Sequence, residues 1–219
     1  MVEPVFGREG SSAQDTAIHL FLASSNRGKL DEFRALAATA AGARSVSLEP
    51  LPRFSELPPF DESAPTFAEN AAGKALHYSC FSDRPVMADD SGLVVDALGG
   101  APGVLSARYA GLNASSADKI AKLLAEMRAS GSRDRRARFV CVIVVAKRGR
   151  AIAVFSDAVE GEIMENPQGA AGFGYDPVFR FGPAGKSFAQ ISADEKNHVS
   201  HRGKAFRKLA DFLASSPVL

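Results

Sequence analysis

Asp89-Asp90-Ser91-Gly92 puts two adjacent carboxylates directly after the apolar run Val86-Met87-Ala88. Neighbouring carboxylates repel, and the pair is costly unless a cation or hydrogen-bond donors offset it. Mg2+ suits such a site, because it takes one or two carboxylates and completes its shell with water and phosphate oxygens. A carboxylate beside the metal can also take a proton from an attacking water. Asp-Asp-Ser-Gly is equally good turn chemistry, so the bland alternative is a surface turn. Its place after a buried strand tips the reading toward function.

Three further runs carry compatible chemistry. Ser24-Ser25-Asn26-Arg27-Gly28-Lys29 lies between an apolar run and a helical pattern. A helix start offers unpaired N–H groups and partial positive charge, so hydroxyls, an amide and a lysine there make a phosphate cradle. The glycine spacing is not that of a Walker loop, and a plain capped helix is the alternative. Gly172-Phe173-Gly174-Tyr175-Asp176 flanks an aromatic ring with glycines, which suits stacking on a planar base or simply a pinned loop. Lys196 and Ser200-His201-Arg202-Gly203-Lys204 gather donors around a helix start, where cations oppose the helix dipole. That local cost hints at an anion or carbonyl oxygen as partner. Lys74, with Glu69-Asn70, and Arg108 each read alone as surface polar groups. Together the runs supply what a nucleoside triphosphate needs. No Ser/His/Asp triad or zinc spacing competes.

The elements that position these runs follow from periodicity. His19–Ala23 reads as a buried strand and Gly28–Ala40 as a helix. Five prolines between residues 50 and 65 exclude a helix there. Thr66 and Glu69 form a capping box for a helix reaching about Phe81. Val86–Ala88 and Leu93–Val95 read as two short strands with the acidic turn between them, followed by the tight loop Gly99–Gly103. Ser116–Ala129 reads as a helix. Arg138–Ala146 and Ala151–Ile163 read as strands joined by a hairpin turn at Lys147–Arg150. The basic run Arg133–Arg138 reads as a solvated edge rather than a nucleic-acid surface. Ser192 and Glu195 form a second capping box, and a last helix starts near Ser200. Alternating elements followed by a hairpin predict an α/β protein with a mixed sheet.

The totals set the outer limits. The chain has 219 residues, 46% of them apolar and 23% charged, enough for a real core in one domain. A net charge of +1 provides no global field toward nucleic acid or a membrane, so a charged ligand must be held locally. Cys80 and Cys141 both read as free and buried, which fits a reducing cytoplasm. Residues 1–17 read as a flexible tail without the apolar run of a signal peptide, and residues 18–219 as the domain. The longest apolar run, Phe139–Ala146, is too short to span a bilayer.

In order and spacing the runs resemble the inosine-triphosphatase family, pyrophosphatases of non-standard purine nucleoside triphosphates. The resemblance rests on Ala23–Lys29, Ala88–Leu93, Gly99–Gly103 with Ser106-Ala107-Arg108-Tyr109, Phe173–Pro177 and Ser200–Gly203. It implies an elongated two-lobed fold around a long mixed sheet, with the substrate in the cleft between lobes. It further implies a cytoplasmic homodimer that uses Mg2+ to cleave inosine, deoxyinosine and xanthosine triphosphates into monophosphate and pyrophosphate. By the same resemblance Ser24, Ser25, Asn26, Arg27, Gly28 and Lys29 hold phosphates, and Asp90 is metal ligand and general base. Asp89 and Glu62 join the metal site. Ser91 touches substrate, and Lys74, Lys196 and Arg202 contact triphosphate or base. Phe173 stacks on the purine beside Gly174, Tyr175 and Asp176, and His201 with Arg202 reads the 6-oxo group. A donor at that oxygen rejects adenine by tenfold to roughly a hundredfold, so excluding guanine needs a further feature. The alternatives are a pyrophosphatase of methylated or pyrimidine triphosphates, and a catalytically silent nucleotide-binding module.

Overall fold

The computed structural model describes residues 17–40, 46–182 and 185–215. The expected tail lies outside them except for Ala17. Seven strands form one mixed sheet: β1 Ile18–Leu22, β2 Val46–Pro50, β3 Val86–Val95, β4 Arg136–Lys147, β5 Arg150–Ile163, β6 Phe179–Phe181 and β7 Lys186–Ser187. Their spatial order is β2-β1-β3-β4-β5-β6-β7. β1 is parallel to both neighbours, and every later pairing is antiparallel. Among the described residues there are five α-helices: α1 Arg27–Thr39, α2 Phe67–Ser79, α3 Ser116–Ala129, α4 Ala193–Val199 and α5 His201–Ser215. No helix among the described residues is long and apolar enough to cross a membrane.

Local chemistry explains most boundaries. Asn26, Thr66, Ser115 and Ser192 each accept a backbone N–H three residues on, capping α1, α2, α3 and α4. The β4–β5 hairpin turns at Arg148 and Gly149, both left-handed (φ 51° and 73°), as a two-residue hairpin demands.

One expectation is overturned. Asp89-Asp90-Ser91-Gly92 is not a turn between two short strands but the middle of the ten-residue β3. The four pair with Ile143, Val142, Cys141 and Val140 on β4. The apolar β4 run holds them in extended form against their own preference for turns, since tertiary pairing outweighs intrinsic propensity. Two smaller corrections follow. The basic run enters β4, an interior strand of the sheet rather than an edge. Cys141 is buried but Cys80, past the end of α2, is exposed.

Strand alternation divides the core around this segment. On one face of the sheet Met87, Cys141, Ile143 and Val145 pack against α1 and α5. Farther along the same face Leu93, Val95, Ala137 and Phe139 pack against α3, Phe179 and Phe188. Asp89 and Ser91 stand between those two clusters, in register with their face. Ala88, Val142 and Val144 on the other face pack against α2.

Candidate active site

β1 pairs with β3 only at Phe21–Val86 and Leu22–Met87 and then leaves the sheet. Asp89–Gly92 therefore run on past the carboxyl end of β1 with a partner on one side only. A crevice beyond the carboxyl end of a parallel strand is where α/β sheets bind ligands. Here the segment Ala23–Asn26, leading from β1 into α1, forms its rim.

The period of two sends the adjacent carboxylates to opposite faces, which relieves the repulsion expected of them. Asp89 is fully buried. Its Oδ2 accepts from Lys29 Nζ at 2.8 Å and Ser91 Oγ at 3.1 Å, and its Oδ1 has no hydrogen-bond partner. Burial pushes its carboxyl up, but Lys29, Lys74 and Arg202 outweigh that and hold it below the usual carboxylate range. Asp90 accepts from Asn70 Nδ2 at 3.1 Å and from the Ser91 backbone N–H at 2.9 Å. Burial raises its carboxyl; Lys29 and Lys74 oppose the rise, Asp89 and Glu62 add to it, and the result is about 6. A carboxylate so weakly compensated suits a proton acceptor near neutral pH.

The proline-rich segment supplies the opposite wall. Asn70 exchanges hydrogen bonds with the backbone of Ala64, and the Phe60 N–H donates to Tyr78 Oη. Gly73 lets the Phe60 ring lie on α2, where a Cβ would meet it at 2.3 Å. Glu62 is thereby fixed: Lys74 Nζ donates to its carboxylate at 2.8 Å and Arg108 to its carbonyl at 2.8 Å. Arg108 arrives because Gly92 has no side chain. A Cβ there would sit 2.4 Å from Ser106 Oγ and 2.5 Å from the Gly103 carbonyl, which belong to the helical turn Gly103–Arg108. Ser24, Ser25, Asn26, Lys29, Glu62, Lys74, Asp90, Ser91 and Arg108 thus line one cleft of about 590 Å3.

A second chamber adjoins it, lined by Asn26, Lys29, Ser91, Phe173, Gly174, Tyr175, Asp176, His201 and Arg202, with Lys119 and Phe139. The Phe173 ring rests on the start of α1, where a Cβ on Gly28 would lie 2.6 Å from it. Lys196 and Arg202 stand 4.9 and 5.2 Å from its centroid. His201 stacks on Phe139 at 4.8 Å; it is buried and neither ring nitrogen has a partner. Burial, then Arg202 and Lys196, keep it neutral well below its usual 6.5. Buried polar atoms without partners are rare and call for a ligand or a water.

One polar chain joins the chambers. Arg202 donates to Ser91 Oγ at 2.9 Å and to Glu32 at 2.6 Å. Glu32 also accepts from Lys196 at 2.6 Å, and Lys196 reaches Asp176, whose Oδ2 accepts the Phe173 N–H at 2.8 Å. Burial raises Glu32, but Arg202 and Lys196 overcome it and hold the carboxyl down. Burial raises Asp176 despite Lys196.

Of the residues singled out in the sequence, Arg27 is exposed and lines neither chamber, and Asp89 lies beneath them as the partner of Lys29. Glu32, Lys119 and Phe139 were not foreseen as site residues, and Asn70, read alone as a surface polar group, is buried against Asp90. Glu32 follows Lys29 by one helical turn on a face shared with the cradle, a spacing that could have flagged it. The others are joined only by tertiary contact.

Asp90 and Glu62 face one cleft as oxygen donors, while no group of three His, Cys, Asp or Glu converges as a metal cage among the described residues. Mg2+ commonly takes two such carboxylates and leaves its other positions to water and phosphate, so this donor set fits it.

The Ham1 family profile matches residues 20–212. A protein of Geobacillus kaustophilus named dITP/XTP pyrophosphatase is 49% identical over 190 residues, 87% of this chain and 91% of that one. A dITP/XTP pyrophosphatase of Desulfotalea psychrophila is 42% identical over 90% of this chain and 85% of its own. The solved structure of a HAM1 protein from Coxiella burnetii superposes with a TM-score of 0.81 at 38% identity, covering 91% of this chain and all of that one.

Proposed function

The chain belongs to the Ham1 family, and from that premise we propose that it hydrolyses inosine, deoxyinosine and xanthosine triphosphates to monophosphate and pyrophosphate. Such an enzyme clears non-standard purines from the cytoplasmic nucleotide pool. The observation that carries this reading is the pairing of two adjoining chambers, one lined by carboxylates and lysines, the other by an aromatic ring and buried polar atoms without partners.

The triphosphate lies in the first cleft, against Ser24, Ser25, Asn26, Lys29 and Lys74, with Arg27 at its rim. Asp90 and Glu62 would hold Mg2+, which when bound would neutralise phosphate oxygens and make the α phosphorus more electrophilic. Asp90 takes a proton from the water that attacks the α phosphorus. The bond to the α–β bridging oxygen breaks, and pyrophosphate leaves with its charge balanced by Lys29 and Lys74. Asp89 positions Lys29 and Ser91 from beneath. In the second chamber Phe173 stacks on the purine, framed by Gly174, Tyr175 and Asp176. His201 and Arg202 meet its 6-oxo group, and Lys196, tied to Glu32 and Asp176, braces that wall. Adenine offers an amino donor where Arg202, which has no acceptor, can only donate, and an unmatched buried donor costs about 1–3 kcal/mol.

Pyrophosphate release across a panel of purine, pyrimidine and methylated triphosphates tests the reading. Inosine and xanthosine triphosphates should lead, and chelation of divalent metal should stop turnover. Asp90→Asn should lower kcat by about 10²–10⁴; a variant with near wild-type turnover would remove Asp90 from the role of base. The same reading gives a homodimer, checked by sedimentation equilibrium at twice the chain mass.

A further inference from the structure

The second chamber contains one cation, Lys119, that neither the triphosphate nor the 6-oxo contact uses. Lys119 sits on α3 just past its capping box, part-buried, and lines the chamber. Its Nζ donates to the Ala107 carbonyl at 3.3 Å. Its helix neighbour Lys122 has Glu126 at 3.8 Å, whereas among the described residues Lys119 has no carboxylate within ion-pair reach.

We propose that Lys119 is a specificity-determining residue that reads the 2-position of the purine, favouring xanthine and disfavouring guanine. This rests on the reading above, in which His201 and Arg202 take the 6-oxo oxygen. On a purine the 2-substituent is the next exocyclic group along the same ring, one atom beyond N1. Hypoxanthine has hydrogen there, xanthine an oxygen and guanine an amino group. An ammonium is a donor only. Against the xanthine oxygen it makes a charge-assisted hydrogen bond; against the guanine amino group it sets donor against donor. The Ala107 carbonyl is an acceptor that could serve that amino group, and Lys119 already engages it. Xanthine is also the most acidic of the three bases, so a nearby cation favours its deprotonated form. All of these effects act in one direction.

The experiment is kcat/KM for xanthosine, inosine and guanosine triphosphates with the full chain as wild type, Lys119→Met and Lys119→Arg. Lys119→Met should lower the xanthosine-to-inosine ratio about tenfold and raise the guanosine-to-inosine ratio severalfold. Lys119→Arg, which keeps the donor charge, should stay close to wild type in the first ratio. Unchanged ratios in Lys119→Met, or an equal loss on all three substrates, overturn the proposal. Thermal melts identify a folding defect, and in that case Lys119→Leu, which likewise has no donor, supplies the same ratios, with the same outcomes deciding. A wild type that releases no pyrophosphate from any of the three substrates instead sinks the assignment of activity on which the proposal rests.

Discussion

His201 shows how a single residue can link site and stability. It is buried, stacked on Phe139 and without a partner at either ring nitrogen. Its folded pKa lies well below the 6.5 of an exposed imidazole, so the folded chain keeps it neutral where the unfolded chain takes up a proton. Above that value neither state binds the proton and the contribution to stability is complete. As pH falls below 6.5, stability drops by about 1.4 kcal/mol per pH unit until the folded pKa is reached. Replacing His201 by Phe keeps the stack and removes the titration. Urea unfolding from about pH 7 to about pH 5 should therefore show a gap in stability that widens in favour of His201→Phe as the medium is acidified. A constant gap would mean that the imidazole is protonated in the folded protein.

At the scale of elements, the start of α1 serves two clients. Its N-cap Asn26 and Lys29 face the cleft, and Gly28 makes room for the Phe173 ring. Gly28→Ala puts a methyl group 2.6 Å from that ring, which must swing away, while alanine improves helix propensity by up to about 1 kcal/mol. The variant should melt at or near the wild-type temperature yet raise KM for inosine triphosphate about tenfold. An unchanged KM would show that Phe173 is no platform for the base. β3 carries the complementary lesson. Its sequence reads as strand, turn, strand because Asp, Ser and Gly are poor strand formers. What converts the turn to strand is the long apolar β4, and nothing within residues 86–95 announces that partner.

For the whole molecule, the two clusters on one face of the sheet suggest two lobes, but β3 and β4 run through both. A lobe could not unfold without breaking pairings that the other uses. Phe33→Ala in one cluster and Leu123→Ala in the other should each cost about 2–5 kcal/mol. Each should shift one shared thermal transition. If calorimetry resolved two transitions, with each substitution moving only its own, the lobes would be independent units.

The sequence by itself determined the alternation of elements, the helix caps at Thr66 and Ser192, the hairpin at Lys147–Arg150 and the runs from which a site could be built. These are local matters: periodicity, capping and turn chemistry act over a few residues. Tertiary structure decided what those runs do together. It parted Asp89 from Asp90 across the sheet and gave Lys29 to the first. It set Glu62 opposite the second through Asn70 and Lys74, and it brought Glu32 between Lys196 and Arg202 from far along the chain. Lys119 gained a meaning only from the Ala107 carbonyl and the chamber beside it. Burial and the company of other charges set how a carboxylate or an ammonium behaves, and both are properties of the packed chain rather than of its neighbours in sequence.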